Sequence, residues 1–272
     1  MNLYRYRSMD SQNLSRTFTH CELYFTEPGK FNDPFDCKPP FSINNYSEND
    51  LREHFKKAFL SICPEISNSK LETLVEKNAH AILNDHRLFQ PKIIDPFVST
   101  VSEVNATLGV LCLSEKPDDI LMWSHYTNGH RGLVLQFDKL ALENNGFDCK
   151  QVDYKNNTIT LKDINQNLNI ENALELANLI LWKKSEHWDY EKEWRIVVDT
   201  SLRTDISNCR IYIFPKEALT GVILGCEMTP EDKYLVRMWL KEGGHRARIF
   251  NATKDTSTYS IKINPPLGDY SN

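Results

Sequence analysis

Short strand-like runs recur along the whole chain, and they constrain its fold more than any other feature of the sequence. Each run spans only a few residues, is rich in β-branched and aromatic side chains, and is bounded by polar or turn-forming residues. We predict strands at residues 3–6, 22–25, 108–114, 132–137, 151–154, 195–198, 210–214, 221–224 and 246–250, with a pairing tail around 259–263.

Helical periodicity separates these strand-like runs. Amphipathic helices are predicted at residues 47–62 and 69–88, and further helices at 118–126, 170–184 and 230–241. No repeat, low-complexity tract or change of composition marks a linker. The sequence therefore predicts an α+β fold, a single domain of residues 1–272 with a mixed, largely antiparallel sheet and a helical insertion near residues 48–105.

The composition narrows the classes of partner. Hydrophobic residues make up 40% of the 272 residues and charged residues 25%, as in ordinary globular proteins. A formal net charge of -5 argues against a broad surface for nucleic acid, because phosphate backbones bind concentrated lysine and arginine. A small local basic patch remains compatible with that charge.

The cysteines and the N-terminus indicate the compartment. Seven cysteines are scattered along the chain without a C-x-x-C pair, which is not the pattern of a disulfide framework or a zinc site. No stretch is apolar enough for a membrane span, and the first residues carry no apolar signal core. These features predict a reduced, cytoplasmic protein without a membrane partner.

Two arginines alternate with aromatic residues in the first predicted strand. Arg5 and Arg7 are two positions apart, so they share one face of a strand. A guanidinium in this setting can hold a phosphate or a carboxylate through its bidentate fork. The competing interpretation is a solvent-facing strand of alternating polarity.

A polar loop follows the second strand, with the sequence FNDPFD at residues 31–36. Asn32, Asp33 and Asp36 could bind ribose hydroxyls or a cation. Asp and Asn side chains also order loops without any ligand by forming Asx turns. The structural role is the favoured interpretation for this loop.

The segment 122–126 (MWSHY) is predicted to lie on a short helix that ends before Gly129. His125 and His130 are five residues apart and have no nearby cysteine or acid, so a zinc site is disfavoured. Ser124 and His125 are sequence neighbours and point apart on a helix, which disfavours a nucleophile pair. A His or Tyr here could line a small-molecule pocket; alternatively, the segment is a polar helix end with Trp123 in the core.

The segment 190–195 (YEKEWR) leads into an apolar strand. In an extended segment, alternation places Glu191 and Glu193 on one face at a strand edge, and their repulsion would raise the pKa of one carboxyl group. Such a carboxylate could act as a general base or stabilise a cation. The alternative is an exposed edge neutralised by Lys192 and Arg195.

Taken in order, these segments resemble the bacterial domain-of-unknown-function 2971 family. The motifs that carry the resemblance are LYRY (3–6), LYF (23–25), FNDPFD (31–36), LSE (113–115), MWSHY (122–126), HRG (130–132), FD (137–138) and YEKEWR (190–195). The resemblance extends from residue 3 to about residue 225. A role in phage defence or as a toxin would suit such a protein, and the sequence does not choose between them.

The chain is more weakly similar to mono-ADP-ribosyltransferases, which place an Arg or His, a Ser- or Tyr-bearing segment and a Glu in this order. The resemblance implies NAD as substrate, with its pyrophosphate on Arg5 or Arg7 and its nicotinamide stacked on Trp123 or Tyr126. Glu193 would stabilise the oxocarbenium-like state. Here the middle motif, with Ser124 and His125, falls on a predicted helix rather than on a strand.

The resemblance further implies that Glu191 positions an acceptor, whether protein, nucleic acid or water, or acts as its base. Two other functions remain open at this point. One is a non-catalytic module that binds a nucleotide or peptide in the same pocket. The other is a nuclease with Asp33, Asp36 and Glu193 around magnesium.

Overall fold

A computed structural model describes residues 1–38, 40–42, 46–155, 158–167, 178–201 and 210–265. The chain divides into two compact units, and each is described here by itself. The first unit consists of residues 1–26, 109–152 and 187–272, and the second of residues 27–108 and 153–186.

Strands and helices interleave along the described residues. The strands are β1 (Asn2–Arg7), β2 (Glu22–Tyr24), β3 (Leu108–Ser114), β4 (Leu133–Asp138), β5 (Cys149–Gln151), β6 (Glu193–Asp199), β7 (Ile211–Ile213), β8 (Leu219–Leu224), β9 (Arg248–Lys254) and β10 (Ile261–Asn264). The helices are α1 (Leu14–Thr19), α2 (Glu48–Ile62), α3 (Asn68–Asn84), α4 (Asp95–Thr107), α5 (Ile120–Tyr126), α6 (Lys139–Glu143), α7 (Leu161–Asn167) and α8 (Pro230–Glu242).

The first unit is built on an eight-stranded sheet in the order β10-β9-β8-β4-β1-β3-β6-β5. The recorded registers are antiparallel except between β8 and β9, which are parallel. A separate two-stranded sheet pairs β2 with β7. The predicted α+β class and the mixed, largely antiparallel sheet are confirmed.

The large sheet buries both of its faces. On one face, Leu3 of β1, Leu135 of β4 and Val222 of β8 belong to a single hydrophobic cluster, and we call this the leucine face. On the other, Tyr6 and Val134 pack with Trp123 of α5, and we call this the aromatic face. Neighbouring residues of β1 therefore point into different environments, as strand alternation requires.

Local signals set the helix starts. The Asp119 side chain accepts hydrogen bonds from the N–H groups of Leu121 and Met122, at 3.0 and 3.1 Å, and so caps α5. Ser47 and Asp50 form a reciprocal capping box at the start of α2, in the second unit. Both starts follow the sequence prediction.

The second unit is predominantly helical. The helices α2, α3, α4 and α7 enclose an apolar cluster that includes Leu51, Val75 and Ile93. Helical structure near residues 48–105 is therefore confirmed, although α3 ends at Asn84 and α4 was not predicted. The short helices α6 and α7 were also missed, and most of the helix predicted at 170–184 lies outside the described residues.

Two further observations concern the predictions made for the whole chain. No described helix combines the length and apolar character that crossing a membrane demands. A strand was predicted at 151–154, whereas β5 spans Cys149–Gln151 and pairs with β6. The assignment of residues 1–272 to one domain stays a prediction.

Candidate functional site

Arg5 and Arg7 line one cleft on the leucine face of the first unit. Their shared side of β1 follows from alternation, and both residues pair across the sheet with leucines of β4. The enclosed part of the cleft has a volume of about 10 Å³. Its polar lining includes Arg5, Arg7, Gln12, Asn13, Glu22 and Tyr24.

Both guanidinium groups reach only backbone carbonyls within the described residues. Arg5 donates to the carbonyl oxygens of Cys112, at 3.5 Å, and Tyr24, at 3.4 Å. Arg7 donates to the carbonyl oxygen of Gln12, at 3.2 Å. No carboxylate of the described chain forms an ion pair with either arginine. The cleft thus holds two positive charges without a counter-charge.

The absence of a counter-charge affects the protonation of both arginines. Burial, together with the neighbouring charge of Arg7, lowers the pKa of Arg5 from its ordinary value to about 9. Burial also lowers the pKa of Arg7. At neutral pH both groups are still charged, and the environment disfavours that charge.

The acidic group at the cleft, Glu22, is already neutralised. Arg16 of α1 donates from Nε to Oε2 of Glu22, at 2.6 Å, and from Nη2 to Oε1, at 2.5 Å. This hydrogen bonding with Arg16 lowers the pKa of Glu22, so the carboxylate is ionised at neutral pH. The pair is neutral overall and leaves the charge of the two cleft arginines unbalanced.

A second polar group lies on the aromatic face. The hydroxyl of Tyr126, at the end of α5, donates to Oε1 of Glu191 at 2.7 Å. The hydroxyl of Ser114 donates to the backbone carbonyl of Glu191 at 2.5 Å. Glu191 is only 3% exposed, so these contacts replace water around it.

Glu193 forms a buried ion pair with Arg195. Nε of Arg195 lies 2.7 Å from Oε1 of Glu193, and Nη2 lies 3.1 Å from Oε2. The two residues share one face of β6, while Trp194 and Ile196 point to the leucine face. Glu193 is 3% exposed and Arg195 is fully buried, which is typical of a paired charge.

The expectation that Glu191 and Glu193 alternate on one strand is wrong. Glu191 ends the 3₁₀ helix Glu186–Glu191, and β6 begins at Glu193. Between them Lys192 adopts a φ of 44°, a left-handed conformation that interrupts an extended chain. The alternative of an exposed edge is also wrong, because both carboxylates are buried.

The segment around Trp123 divides between core and surface. Trp123 is fully buried, donates its indole N–H to the carbonyl of Pro117 at 2.8 Å, and meets the ring of Tyr6 edge-on. Ser124 and His125 are exposed. The structure therefore brings Tyr126, rather than Ser124, to the acidic group Glu191.

The FNDPFD loop belongs to the second unit. Oδ1 of Asp33 accepts the N–H of Phe35 at 2.9 Å, which is the Asx turn expected for a structural role. Asp36 is buried against Lys184 at 3.5 Å, and Asn32 is exposed. Across the described ranges, no three acidic, His or Cys side chains form a group that could hold a metal ion.

The sheet separates two sets of candidate residues. Arg5 and Arg7 lie on the leucine face, whereas Tyr126 packs with the aromatic face and holds Glu191 there. Sequence reasoning missed Gln12, Asn13, Arg16 and Glu22. The sequence signal that could have found them is the polar segment before α1. In the structure, Asn13 of this segment directly precedes the helix and has a φ of 64°.

Comparisons with known proteins bear on the residues of the aromatic face, Tyr126 and Glu191, and on Glu193. Neither the curated proteins nor the solved structures contain a match to this chain. One family model does match, over a shorter range than the motifs predicted, and that range includes Tyr126, Glu191 and Glu193. Residues 122–196 are similar to the family described as "Protein of unknown function (DUF2971)".

Proposed function

We propose that the protein binds a phosphate-bearing small molecule of the nucleotide class in the cleft of Arg5 and Arg7. One observation carries the proposal: two guanidinium groups line the same cleft, and no described carboxylate pairs with either of them. The proposed function is therefore ligand binding, as in the non-catalytic module considered from the sequence, and it includes no catalytic step.

The energetic argument starts from the cost of unpaired charge. Removing a charged group from water is unfavourable unless an opposite charge or hydrogen bonds replace the water. Within the described residues, Arg5 and Arg7 together donate three hydrogen bonds, to carbonyl oxygens at 3.2 to 3.5 Å. An oxyanion would supply the missing counter-charge, and the planar guanidinium fork suits phosphate oxygens.

The other lining residues offer contacts for the rest of a nucleotide. Tyr24 is one of them and is 39% exposed. Aromatic rings stack on nucleobases irrespective of sequence. The side chains of Gln12 and Asn13 add donors and acceptors for sugar hydroxyls. NAD belongs to this ligand class, with its pyrophosphate as the group to be bound.

Binding is tested by titration calorimetry with inorganic phosphate, AMP, ADP and NAD. We expect Arg5→Gln and Arg7→Gln each to weaken binding about 10- to 100-fold, since a charged hydrogen bond contributes about 1.5–3 kcal/mol. Arg87→Gln is the matched control, because Arg87 is 91% exposed and bonded to Asp85. Unchanged affinity in the Arg5→Gln/Arg7→Gln double variant, or no binding of any probe, would refute the proposal.

Transfer of ADP-ribose from NAD is a second candidate, and it concerns a different set of residues. Tyr126, Glu191 and Glu193 lie within the range of the family match, and both carboxylates are buried in polar networks. In this proposal Glu193 stabilises the oxocarbenium-like state of the nicotinamide ribose. Because Arg5 and Arg7 lie on the other face of the sheet, other groups would have to hold the pyrophosphate.

Nicotinamide release from NAD tests this second candidate. Release by the wild-type protein, with cell lysate supplied as a source of acceptors, should be lost in Glu193→Gln. The control is Glu143→Gln, since Glu143 also forms an ion pair, with Lys139 one helical turn earlier on α6. No release from the wild-type protein rejects the transferase function and leaves the binding proposal intact.

A further inference from the structure

We infer that the cleft recognises a terminal phosphomonoester, a group with two negative charges, in preference to a phosphodiester or a carboxylate. This inference rests on the proposed function and specifies the chemistry of its ligand. The observations behind it are the charge balance of the cleft, the spacing of its arginines and its size.

Charge balance is the first argument. Arg5 and Arg7 contribute two positive charges, and the carboxylate of Glu22 is already paired with Arg16. A dianion neutralises both cleft arginines. A carboxylate or a phosphodiester carries one negative charge and leaves one guanidinium in the cleft uncompensated, which is unfavourable in a partly buried site.

The spacing of the arginines is the second argument. Residues two apart on one strand face lie roughly 6.6 Å apart along the strand, so two long side chains can converge on one tetrahedral group. A terminal phosphate presents three non-bridging oxygens and can accept from both guanidinium forks. A phosphodiester presents only its non-bridging pair, and its second ester group must also be accommodated between Arg5 and Arg7.

The size of the cleft is the third argument. The enclosed space is only about 10 Å³, close to the volume that one water molecule needs. It admits one small group, such as a phosphate oxygen, and leaves the rest of the ligand outside. The net charge of -5 also opposes binding of a polyanionic strand. The ligand is therefore a small molecule that ends in phosphate.

The test compares ligands that differ only in the phosphate. We expect AMP to bind at least about tenfold more tightly than 3′,5′-cyclic AMP, which has the same base and sugar but a phosphodiester, because one more charge-assisted bond forms. Adenosine should not bind detectably. Ribose 5-phosphate separates the sources of the group: affinity equal to that of AMP identifies a sugar phosphate site, and weaker binding identifies a nucleotide site.

The variants make the charge argument specific. With one guanidinium removed, in Arg5→Gln or Arg7→Gln, AMP should lose most of its advantage over cyclic AMP, whereas Arg87→Gln should retain it. Equal affinity of the wild-type protein for AMP and cyclic AMP overturns this inference and leaves the proposed function standing. If inorganic phosphate, AMP and cyclic AMP all fail to bind, both proposals fall.

Discussion

Arg16 holds the carboxylate of Glu22 in a bidentate ion pair beside the cleft, with both N–O distances at or below 2.6 Å. The two residues flank the turn between α1 and β2, so the pair also links a helix to the edge of the cleft. Arg16 itself is not among the residues that line the cleft. Arg16 neutralises Glu22, which does line the cleft.

The first prediction concerns this ion pair. Arg16→Gln should weaken phosphate binding severalfold, because the freed Glu22 carboxylate adds negative charge to the cleft and can turn toward Arg5 or Arg7. Adding Glu22→Gln should restore the affinity. Calorimetry on the two variants and their combination measures the coupling; a double variant that binds as weakly as Arg16→Gln would show that Arg16 acts in another way.

The second prediction concerns Arg5 and stability. Arg5→Met should weaken phosphate binding as Arg5→Gln does, and yet raise the free energy of unfolding of the ligand-free protein by about 1 kcal/mol, because an apolar side chain of similar length replaces an uncompensated charge. Thermal unfolding at pH 7 checks this expectation. The control Arg87→Met alters an exposed arginine and should change little. A lower stability of Arg5→Met than of this control would contradict the argument.

The sign of the pH effect follows from the direction of the shift. Folding lowers the pKa of Arg5 from its ordinary value to about 9, so between these values the unfolded chain binds more protons than the folded one. The cost of the buried charge is fully present below about pH 9 and disappears as the pH rises toward the ordinary pKa of arginine. The stability difference between wild type and Arg5→Met should therefore be smaller at pH 10 than at pH 7.

The third prediction is a bell-shaped dependence of AMP affinity on pH. Affinity should rise through roughly pH 6, where the phosphate acquires its second charge, and fall above about pH 9, where ligand-free Arg5 loses its proton. Burial also lowers the pKa of Arg7. Hydrogen bonding with Arg16 lowers the pKa of Glu22, so the Glu22 carboxylate stays ionised throughout this range. Titrations of the protein with AMP at several pH values between about 5 and 10 define both limbs of the profile.

Two controls separate the limbs of this profile. Sulfate keeps two charges across the range, so its binding should lack the acidic limb. In Arg5→Gln the alkaline limb should move to higher pH. A flat profile for AMP would show that neither the dianion nor the proton of Arg5 governs binding.

The fourth prediction concerns the aromatic face. Tyr126→Phe should lower the free energy of unfolding by about 1.5–3 kcal/mol, because it removes a hydrogen bond to the buried carboxylate of Glu191. Urea denaturation measures the change. Tyr234→Phe is a matched control, since Tyr234 on α8 is 61% exposed; an equal effect in both variants would argue against a stabilising role of the Tyr126 bond.

Short-range patterns explain what was predictable in the site. Alternation along β1 places Arg5 and Arg7 on one face whatever the neighbouring strands are. The Asp119 cap sets the start of α5, and the Asx turn of Asp33 orders its loop, because both depend on groups within a few residues. Such interactions can be read directly from residue types and spacing.

Pairing between distant residues could not be predicted in the same way. Glu191 and Glu193 are two positions apart, yet the left-handed Lys192 sends them to different partners. The bond from Tyr126 to Glu191 joins residues 65 positions apart. Which side chain bonds a given buried carboxylate depends on strand order and register, and the local spacing of residues does not determine either.

The sequence by itself determined the α+β class, the alternation of β1 and the helix caps, because each results from interactions between near neighbours in the chain. Only the tertiary structure decided that Arg5 and Arg7 lie on the opposite face of the sheet from Tyr126 and Glu191. The physical reason is that burial and charge pairing are properties of surfaces assembled from distant segments. The two arginines lack a carboxylate partner within the described residues because the first unit brings the nearby acid, Glu22, to Arg16 instead.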